Sequence, residues 1–133
     1  MNYQRHKSEE SVEDYLETIL ILSRHKAQVR SIDVANELGY SKPSVSVAMK
    51  QLRENGYVEM TAGNFLLLTD KGREIAQRMY ERHTLLTDWL VFLGVDRKTA
   101  AADACRIEHV VSQESFEKIR EHVRREGEFP LEE

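Results

Sequence analysis

The fold is decided by residues 31–53, SIDVANELGYSKPSVSVAMKQLR. Ser31 begins a short helix that Gly39 closes, and Tyr40-Ser41 forms a turn. A second helix starts there, because Pro43 in its first turn removes only a backbone donor that lacks an intrahelical partner. The apolar residues of this second helix lie on one face and are Val45, Met49 and Leu52. The stretch therefore predicts two helices joined by a tight turn.

Further elements surround this helix pair. They are predicted as a helix over residues 8–26, strands over 57–60 and 65–68, and helices over 70–93, 97–111 and 113–125. The order helix, turn, helix and hairpin is typical of the winged helix-turn-helix. We predict a mainly α fold, with an N-terminal winged helix-turn-helix and a small two-stranded wing in residues 1–70, and an all-helical domain in residues 71–133. The last six or so residues are acidic and are expected to fray.

Composition and charge limit the class of protein. The chain has 133 residues, of which 41% are hydrophobic and 32% are charged, so it carries enough apolar material for a core. No apolar run approaches the roughly 18 residues of a membrane span, and the polar N-terminus is unlike a secretory signal. The single cysteine, Cys105, can form no internal disulfide, so we expect a cytoplasmic protein. The net charge of −4 argues against an indiscriminate nucleic-acid coat but allows a locally basic surface.

The second helix of the pair is the predicted DNA-reading element, because it is locally basic in an acidic chain. Residues 38–53 contain three basic side chains and no acidic one. Hydroxyl groups near the helix start can meet phosphates or base edges, together with the positive end of the helix. We predict a DNA-binding surface of Ser41, Lys42, Pro43, Ser44, Ser46, Lys50 and Arg53. The alternative is that these charges only keep a surface helix soluble, and the wing tip at 61–64 has no Lys or Arg to add phosphate contacts.

Six side chains form a predicted metal-binding set. Two acids lie three residues apart on the first helix, and the motif Cys-x-x-Glu-His at 105–109 places three donors on one helix face. A histidine from the helix at 70–93 adds an imidazole. This mixture of oxygen, nitrogen and sulfur donors favours a first-row divalent transition metal over calcium or magnesium. The predicted ligands are Asp14, Glu17, His83, Cys105, Glu108 and His109.

Each donor also has an explanation that needs no metal. Asp14 could complete a capping box with Ser11, and Glu17 could be a solvated helix charge. Cys105 could be a small buried residue, and His83 could be a satisfied interface histidine. Glu108 could pair with Arg106 or Arg82. Taken together, three potential ligands on an otherwise apolar helix favour the metal site.

In combination, these motifs resemble the diphtheria toxin repressor family of iron- or manganese-dependent transcriptional regulators, especially its short manganese transport regulator branch. The resemblance extends over about residues 11–125 and rests on EDYLE (13–17), SKPSVS (41–46), LTDKG (68–72), RHTLL (82–86) and DACRIEH (103–109). It implies a repressor whose N-terminal half binds operator DNA and whose C-terminal helices form a homodimer, with metal between them as co-repressor. From the resemblance to the short branch we expect no C-terminal SH3-like domain.

The chain departs from both branches of this family. The manganese branch resembles it at the other five ligand positions but carries glutamate where this chain has Cys105, whereas the iron branch has cysteine there and typically methionine in place of Asp14. A thiolate shifts preference toward Fe²⁺, Co²⁺ or Ni²⁺, while the two helix-1 carboxylates favour Mn²⁺. The ancillary site of the iron branch is incomplete, because Thr87 and Ala101 occupy its acid and histidine positions. Val47 replaces a polar base-facing residue of some relatives, so their operator sequence does not transfer.

We therefore hypothesise a metal-controlled DNA-binding repressor of metal-homeostasis genes. Metal would join the first helix to the helices that carry the other ligands, and so fix two recognition helices against half-sites one helical turn, roughly 34–36 Å, apart. The expected cofactor is Mn²⁺ or Fe²⁺, and Co²⁺, Ni²⁺ or Zn²⁺ could replace it in vitro.

The alternative is a winged-helix regulator that responds to an organic ligand or to oxidation of Cys105 without metal. We expect no enzyme, because the sequence has no nucleophile elbow, phosphate-cradling glycine loop or His-Glu-x-x-His motif. We also expect no membrane partner and no small organic substrate.

Overall fold

A computed structural model describes residues 3–126 of the chain, with side chains from Glu9 onward. The elements are α1 (Tyr3–Ser23), α2 (Ser31–Leu38), α3 (Lys42–Glu54), β1 (Val58–Met60), β2 (Leu66–Leu68), α4 (Asp70–Phe92), α5 (Arg97–Val110) and α6 (Gln113–Glu126). They form two compact units that divide inside α4, after Arg78. The predicted mainly α fold with a two-stranded wing is confirmed. The acidic tail that is expected to fray lies outside the described residues.

The first unit is a helical core closed by the wing hairpin. Within it, α1 packs against α2 and β2, α2 packs against α3, and α3 packs against β1. These elements contribute buried apolar side chains, including Leu16, Ile19, Val34, Val45, Met49, Leu52, Val58 and Leu66. Removing this apolar surface from water is the main force that holds the unit together. It also confirms the buried face predicted for the second helix of the pair.

The turn between α2 and α3 follows from its residue types. Gly39 has a φ of 72°, a left-handed conformation that glycine adopts without steric cost. Ser41 caps α3, because its hydroxyl accepts a hydrogen bond from the backbone N–H of Ser44 at 3.3 Å. At the start of α2, the Asp33 carboxylate accepts the backbone N–H of Arg30 at 2.8 Å. α3, the predicted DNA-reading helix, therefore starts at a fixed point on the fold.

The wing is an antiparallel hairpin fixed at both ends. β1 and β2 pair in the register Val58↔Leu68 to Met60↔Leu66. The backbone N–H of Leu66 donates to the carbonyl oxygen of Val29 at 2.7 Å, which attaches the hairpin to the segment before α2. At the start of α4, a Cβ at Gly72 would clash with the main-chain carbonyl of Tyr57, so the close approach requires glycine.

The second unit is built around a small apolar core. Leu85, Leu86, Ala104 and Phe116 are buried there, and Trp89, Ile107, Val111 and Ile119 pack against them. Asp96 caps α5 by accepting backbone N–H groups of Lys98 and Thr99, and Ser112 caps α6 by accepting that of Ser115. The helices predicted over 97–111 and 113–125 are thus confirmed to within one residue at their ends.

The first helix differs from its prediction at both ends, and its C-terminal end is Ser23 rather than Lys26. α1 begins at Tyr3 rather than Ser8, because polar residues continue the helix ahead of the apolar stripe that the periodicity detects. Ser11 and Asp14 are therefore interior helix residues, and the capping-box explanation for Asp14 is wrong. Among the described helices, none has the length and apolar character that crossing a membrane requires.

Candidate metal centre and nucleic-acid interface

A buried carboxylate lies between two imidazoles in the second unit. Glu108, on α5, is 0% exposed, and its Oε1 lies 2.9 Å from Nδ1 of His83 on α4. Its Oε2 lies 3.6 Å from Nε2 of His109, the next residue on α5. Burying an ionised carboxylate is costly unless donors or cations surround it. Three of the predicted ligands therefore come together in this unit.

The contact between His83 and Glu108 assigns roles to the two imidazole nitrogens. An ionised carboxylate only accepts hydrogen bonds, so when Glu108 is ionised the proton is at Nδ1 of His83 and is donated to Oε1 of Glu108. In the neutral ring, Nε2 then keeps a lone pair that can bind a cation. Pairs of this kind orient histidine ligands in metal sites. The arrangement can therefore hold a divalent transition metal, which fits the chemistry predicted for these residues.

Arg82 supports the end of α5 that carries these groups. This side chain is 5% exposed, and Nη1 donates to the main-chain carbonyl oxygens of Glu108 at 2.9 Å and Val111 at 2.8 Å. Nη2 donates to Oε1 of Gln113 at 2.7 Å, and the guanidinium lies over the Phe116 ring. Buried hydrogen bonds from a charged donor are stronger than neutral ones. Glu108 therefore pairs with an arginine, as one of the alternative explanations expected. The group that accepts the hydrogen bond from Arg82 is the main-chain carbonyl oxygen of Glu108.

Cys105 lies one helical turn before Glu108 on α5 and is exposed. The explanation of Cys105 as a small buried residue is therefore wrong. The reason is helical geometry: Ala100, Ala104 and Glu108 form the buried face of α5, and Cys105 is displaced from that face by about 100°. An exposed thiol is open to a metal ion or to an oxidant.

The two remaining predicted ligands belong to the first unit. Asp14 and Glu17 lie one turn apart on α1, where Asp14 is partly buried and Glu17 is 5% exposed. A carboxylate buried to this extent requires partners, so Glu17 is not a solvated helix charge. Both oxygen donors thus lie on the same helix of the first unit.

Tyr15, next to Asp14 on α1, contacts the turn that precedes the recognition helix. Its ring meets that of Tyr40 edge-to-face, with centroids 6.1 Å apart and an interplanar angle of 73°. Burial raises the pKa of Tyr15, and the acidic groups of Tyr40 and Asp14 raise it further, so the phenol stays neutral at physiological pH. Because Ser41 caps α3, this contact links the helix that carries two predicted ligands to the start of the recognition helix.

The seven predicted DNA-binding residues all lie at the exposed surface of α3 or at its start. They are Ser41, Lys42, Pro43, Ser44, Ser46, Lys50 and Arg53. The hydroxyls of Ser41 and Ser44 are hydrogen-bonded at 2.8 Å. Nη1 of Arg53 lies 3.6 Å from Sδ of Met60 in β1, which places this cation beside the wing. The unit therefore presents hydroxyls at one end of α3 and a guanidinium at the other.

Two contacts that support these sites were not predicted from the sequence. Arg82 is one of the two arginines named as a possible partner of Glu108, but nothing in its position identifies the carbonyl groups that it holds 26 and 29 residues away. The pairing of Tyr15 with Tyr40 likewise joins residues from separate elements. An aromatic residue in a helix-turn-helix turn is the one local signal that draws attention to Tyr40.

Two family models together match most of the chain. Residues 8–63 match "Iron dependent repressor, N-terminal DNA binding domain". Residues 69–128 match "Iron dependent repressor, metal binding and dimerisation domain".

Individual proteins and solved structures agree with these matches. The transcriptional regulator MntR of Escherichia coli is 36% identical over 118 residues, which cover 89% of this chain and 76% of that protein. The structure of the manganese regulator SloR has a TM-score of 0.76 and 28% identity, covering 85% of this chain and 53% of that one. A manganese-dependent transcriptional repressor complex with manganese has a TM-score of 0.77 and 30% identity, covering 84% of this chain and 51% of that one. The chain thus spans about half the length of these two solved chains.

Proposed function

The chain belongs to the iron-dependent repressor family, and from this premise we propose that it is a DNA-binding transcriptional repressor that senses Mn²⁺ or Fe²⁺ and controls metal-homeostasis genes. Its proposed partners are double-stranded operator DNA in the cytoplasm and a second copy of the chain. Residues 1–70 would read DNA, and residues 71–133 would dimerise and bind metal. The proposed activity is regulated binding rather than catalysis, in keeping with relatives that are transcriptional regulators.

The observation that carries the proposal is the buried carboxylate of Glu108 between the imidazoles of His83 and His109. Imidazole and carboxylate are ligands for manganese, iron, cobalt and zinc alike. A carboxylate with 0% exposure is expensive to keep ionised, and a bound cation would offset that cost. These residues therefore fit the metal that the family requires.

We propose that the full ligand set comprises Asp14, Glu17, His83, Cys105, Glu108 and His109. The two units contribute different donors: carboxylates come from α1, while imidazoles, a thiol and a further carboxylate come from α4 and α5. When bound, the metal would supply positive charge to three carboxylates and accept lone pairs from nitrogen and sulfur. The Cys105 thiol adds a sulfur donor to a ligand set whose other donors are oxygen and nitrogen. It favours Fe²⁺ or Co²⁺ relative to Mn²⁺.

The residues of α1 explain how ligand binding would reach the DNA. Asp14 and Glu17 flank the stretch of α1 that contains Tyr15, and Tyr15 holds the turn residue Tyr40. Restricting α1 would therefore restrict the start of α3, where Ser41 is the cap. A dimer that samples many spacings of its recognition helices loses operator affinity in proportion to its competent fraction. Coupling of about 1–3 kcal/mol would change that affinity roughly 5–150-fold.

On the DNA side, Lys42, Lys50 and Arg53 supply the cations for phosphate contacts. Ser41 and Ser44 at the start of α3 supply hydroxyls, and the helix end supplies backbone donors. The family match to a DNA-binding domain over residues 8–63 supports this assignment.

The test is operator binding measured anaerobically by fluorescence anisotropy at controlled free Mn²⁺, Fe²⁺, Co²⁺ and Zn²⁺. Anaerobic handling keeps Fe²⁺ and the Cys105 thiol reduced. We expect a 5–150-fold gain with metal in the wild-type chain, and loss of most of that gain in His83→Ala and Glu108→Ala, with both variants still folded dimers. His122→Ala removes an exposed histidine that lies 3.9 Å from Glu126, and serves as the matched control.

Equal operator binding with and without every metal would contradict the proposal. So would undiminished metal stimulation in both ligand variants. A response to peroxide that Cys105→Ser abolishes and chelators leave unchanged would instead support redox control through Cys105.

A further inference from the structure

An exposed apolar side chain lies at the centre of the outward face of α3. Val47 is 58% exposed, although its neighbours Val45 and Met49 are buried. Successive residues of a helix are about 100° apart, so Val47, two residues after Val45, lies nearly opposite the buried face. Its side chain therefore occupies the line of α3 that is farthest from the core of its unit.

The surroundings of Val47 resemble a groove-reading surface. Pro43 lies one turn before it and Lys50 one turn after it, and both are exposed. Ser44 and Gln51 flank the same face and are also exposed. A valine at an exposed helix position gains little from burial and is a poorer helix former than alanine. Folding of α3 thus gives no reason for an apolar, β-branched residue at this point.

The chemistry of this side chain selects one feature of DNA. Base pairs in the major groove are distinguished by donors, acceptors and the C5 methyl group of thymine. Val47 has neither donor nor acceptor, so it can favour a base only through apolar contact. We propose that Val47 contacts the C5 methyl group of a thymine in each operator half-site and is a specificity-determining residue. This inference rests on the proposed function, because it requires α3 to enter the major groove.

The test begins with selection of a bound sequence from a random double-stranded library, using the full chain loaded with Mn²⁺. Each thymine of the selected DNA is then replaced singly by deoxyuridine, which removes only the methyl group, and the Kd is measured by fluorescence anisotropy. We expect one thymine in each half-site whose replacement weakens binding about fourfold, the factor for one methyl group withdrawn from an apolar contact.

Two variants assign this effect to Val47. Val47→Ala should lose most of the difference between thymine and deoxyuridine at that position, because alanine lacks the two γ-methyl groups with which valine reaches the thymine methyl. Glu54→Ala changes an exposed residue of α3 outside the predicted DNA-binding surface and should keep the fourfold difference. Alanine favours helix at both positions, and matching thermal unfolding curves verify that the variants fold.

The outcomes separate this inference from the proposed function. If the wild-type chain binds the selected DNA but no deoxyuridine weakens binding, the inference is overturned and the proposed function stands. The same holds if Val47→Ala keeps the full sensitivity. If the metal-loaded chain enriches no sequence from the library, the proposed function fails, and the assignment of Val47 fails with it.

Discussion

Tyr15 on α1 contacts Tyr40 edge-to-face, with ring centroids 6.1 Å apart and an interplanar angle of 73°. One ring is next to the predicted ligand Asp14, and the other is next to Ser41, which caps the recognition helix. The contact therefore joins a candidate metal-binding helix to the proposed DNA-reading helix, α3, inside one compact unit.

The first prediction is that removing this contact uncouples metal from DNA. An aromatic pair contributes about 0.5–1.5 kcal/mol beyond its burial, so Tyr40→Ala should lower the metal-stimulated gain in operator affinity roughly 2- to 12-fold. Tyr40→Phe keeps the ring and should keep the gain. Operator affinity with and without saturating Mn²⁺, measured by fluorescence anisotropy, gives the ratio. An unchanged ratio in Tyr40→Ala would exclude this route of coupling.

The second prediction concerns Arg82. Arg82→Met removes charge-assisted hydrogen bonds to the carbonyl groups of Glu108 and Val111, and should lower the free energy of unfolding by about 2–4 kcal/mol in urea denaturation. Arg120→Met is the matched control, because Arg120 also lies over Phe116 but pairs with Glu81 near the surface. Its loss should stay below about 1 kcal/mol. Equal losses in the two variants would show that the carbonyl contacts of Arg82 add no stability.

The third prediction concerns metal preference and Cys105. Replacing the thiol by a carboxylate, Cys105→Glu, makes the proposed ligand set harder and should raise the affinity for Mn²⁺ relative to Co²⁺, on the order of tenfold. Because Cys105 is exposed in the folded chain, the longer side chain can be accommodated. Competition titrations with a metal indicator under anaerobic conditions measure the ratio. A ratio that does not move would remove Cys105 from the ligand set.

The fourth prediction is a pH dependence at the start of α2. Lys26 donates to Asp33 at 2.8 Å, and this hydrogen bond, followed by that from the Arg30 backbone N–H, lowers the pKa of Asp33. A carboxyl group with a lowered folded-state pKa stabilises the fold above its unfolded-state pKa, and this contribution is lost as pH falls through the folded-state value. Asp33→Asn should therefore cost about 0.5–1 kcal/mol at pH 7 and progressively less in acid. Urea denaturation at several pH values measures the difference, and a constant difference across the acid range would contradict this explanation.

Local residue types were sufficient to predict most of the fold. Ser41 and Pro43 mark the start of α3, and the structure has the serine as cap and the proline in the first turn. Gly39 supplies the left-handed residue between the helices of the pair. By contrast, the start of α1 at Tyr3 could not be read from hydrophobic periodicity, because the residues before Ser8 are polar.

Contacts between distant residues explain what the sequence left open at the site. The motif at 105–109 indicates that Glu108 and His109 are neighbours on a helix, but its spacing cannot show that Glu108 is completely buried or that His83 lies 2.9 Å from it. The exposure of Cys105 depends on which face of α5 meets the core. Such facts follow from packing of the whole unit rather than from any local pattern.

The central claim is that metal binding and operator binding are coupled through this chain. Coupling of two equilibria is reciprocal, so the factor by which metal strengthens operator binding must equal the factor by which the operator strengthens metal binding. The most direct measurement is anaerobic titration of the wild-type chain with Mn²⁺, with and without saturating operator DNA, using a competing metal indicator. We predict a metal affinity roughly 5–150-fold higher with operator, matching the gain in the DNA titration. A metal affinity that is the same with and without the operator would contradict the claim.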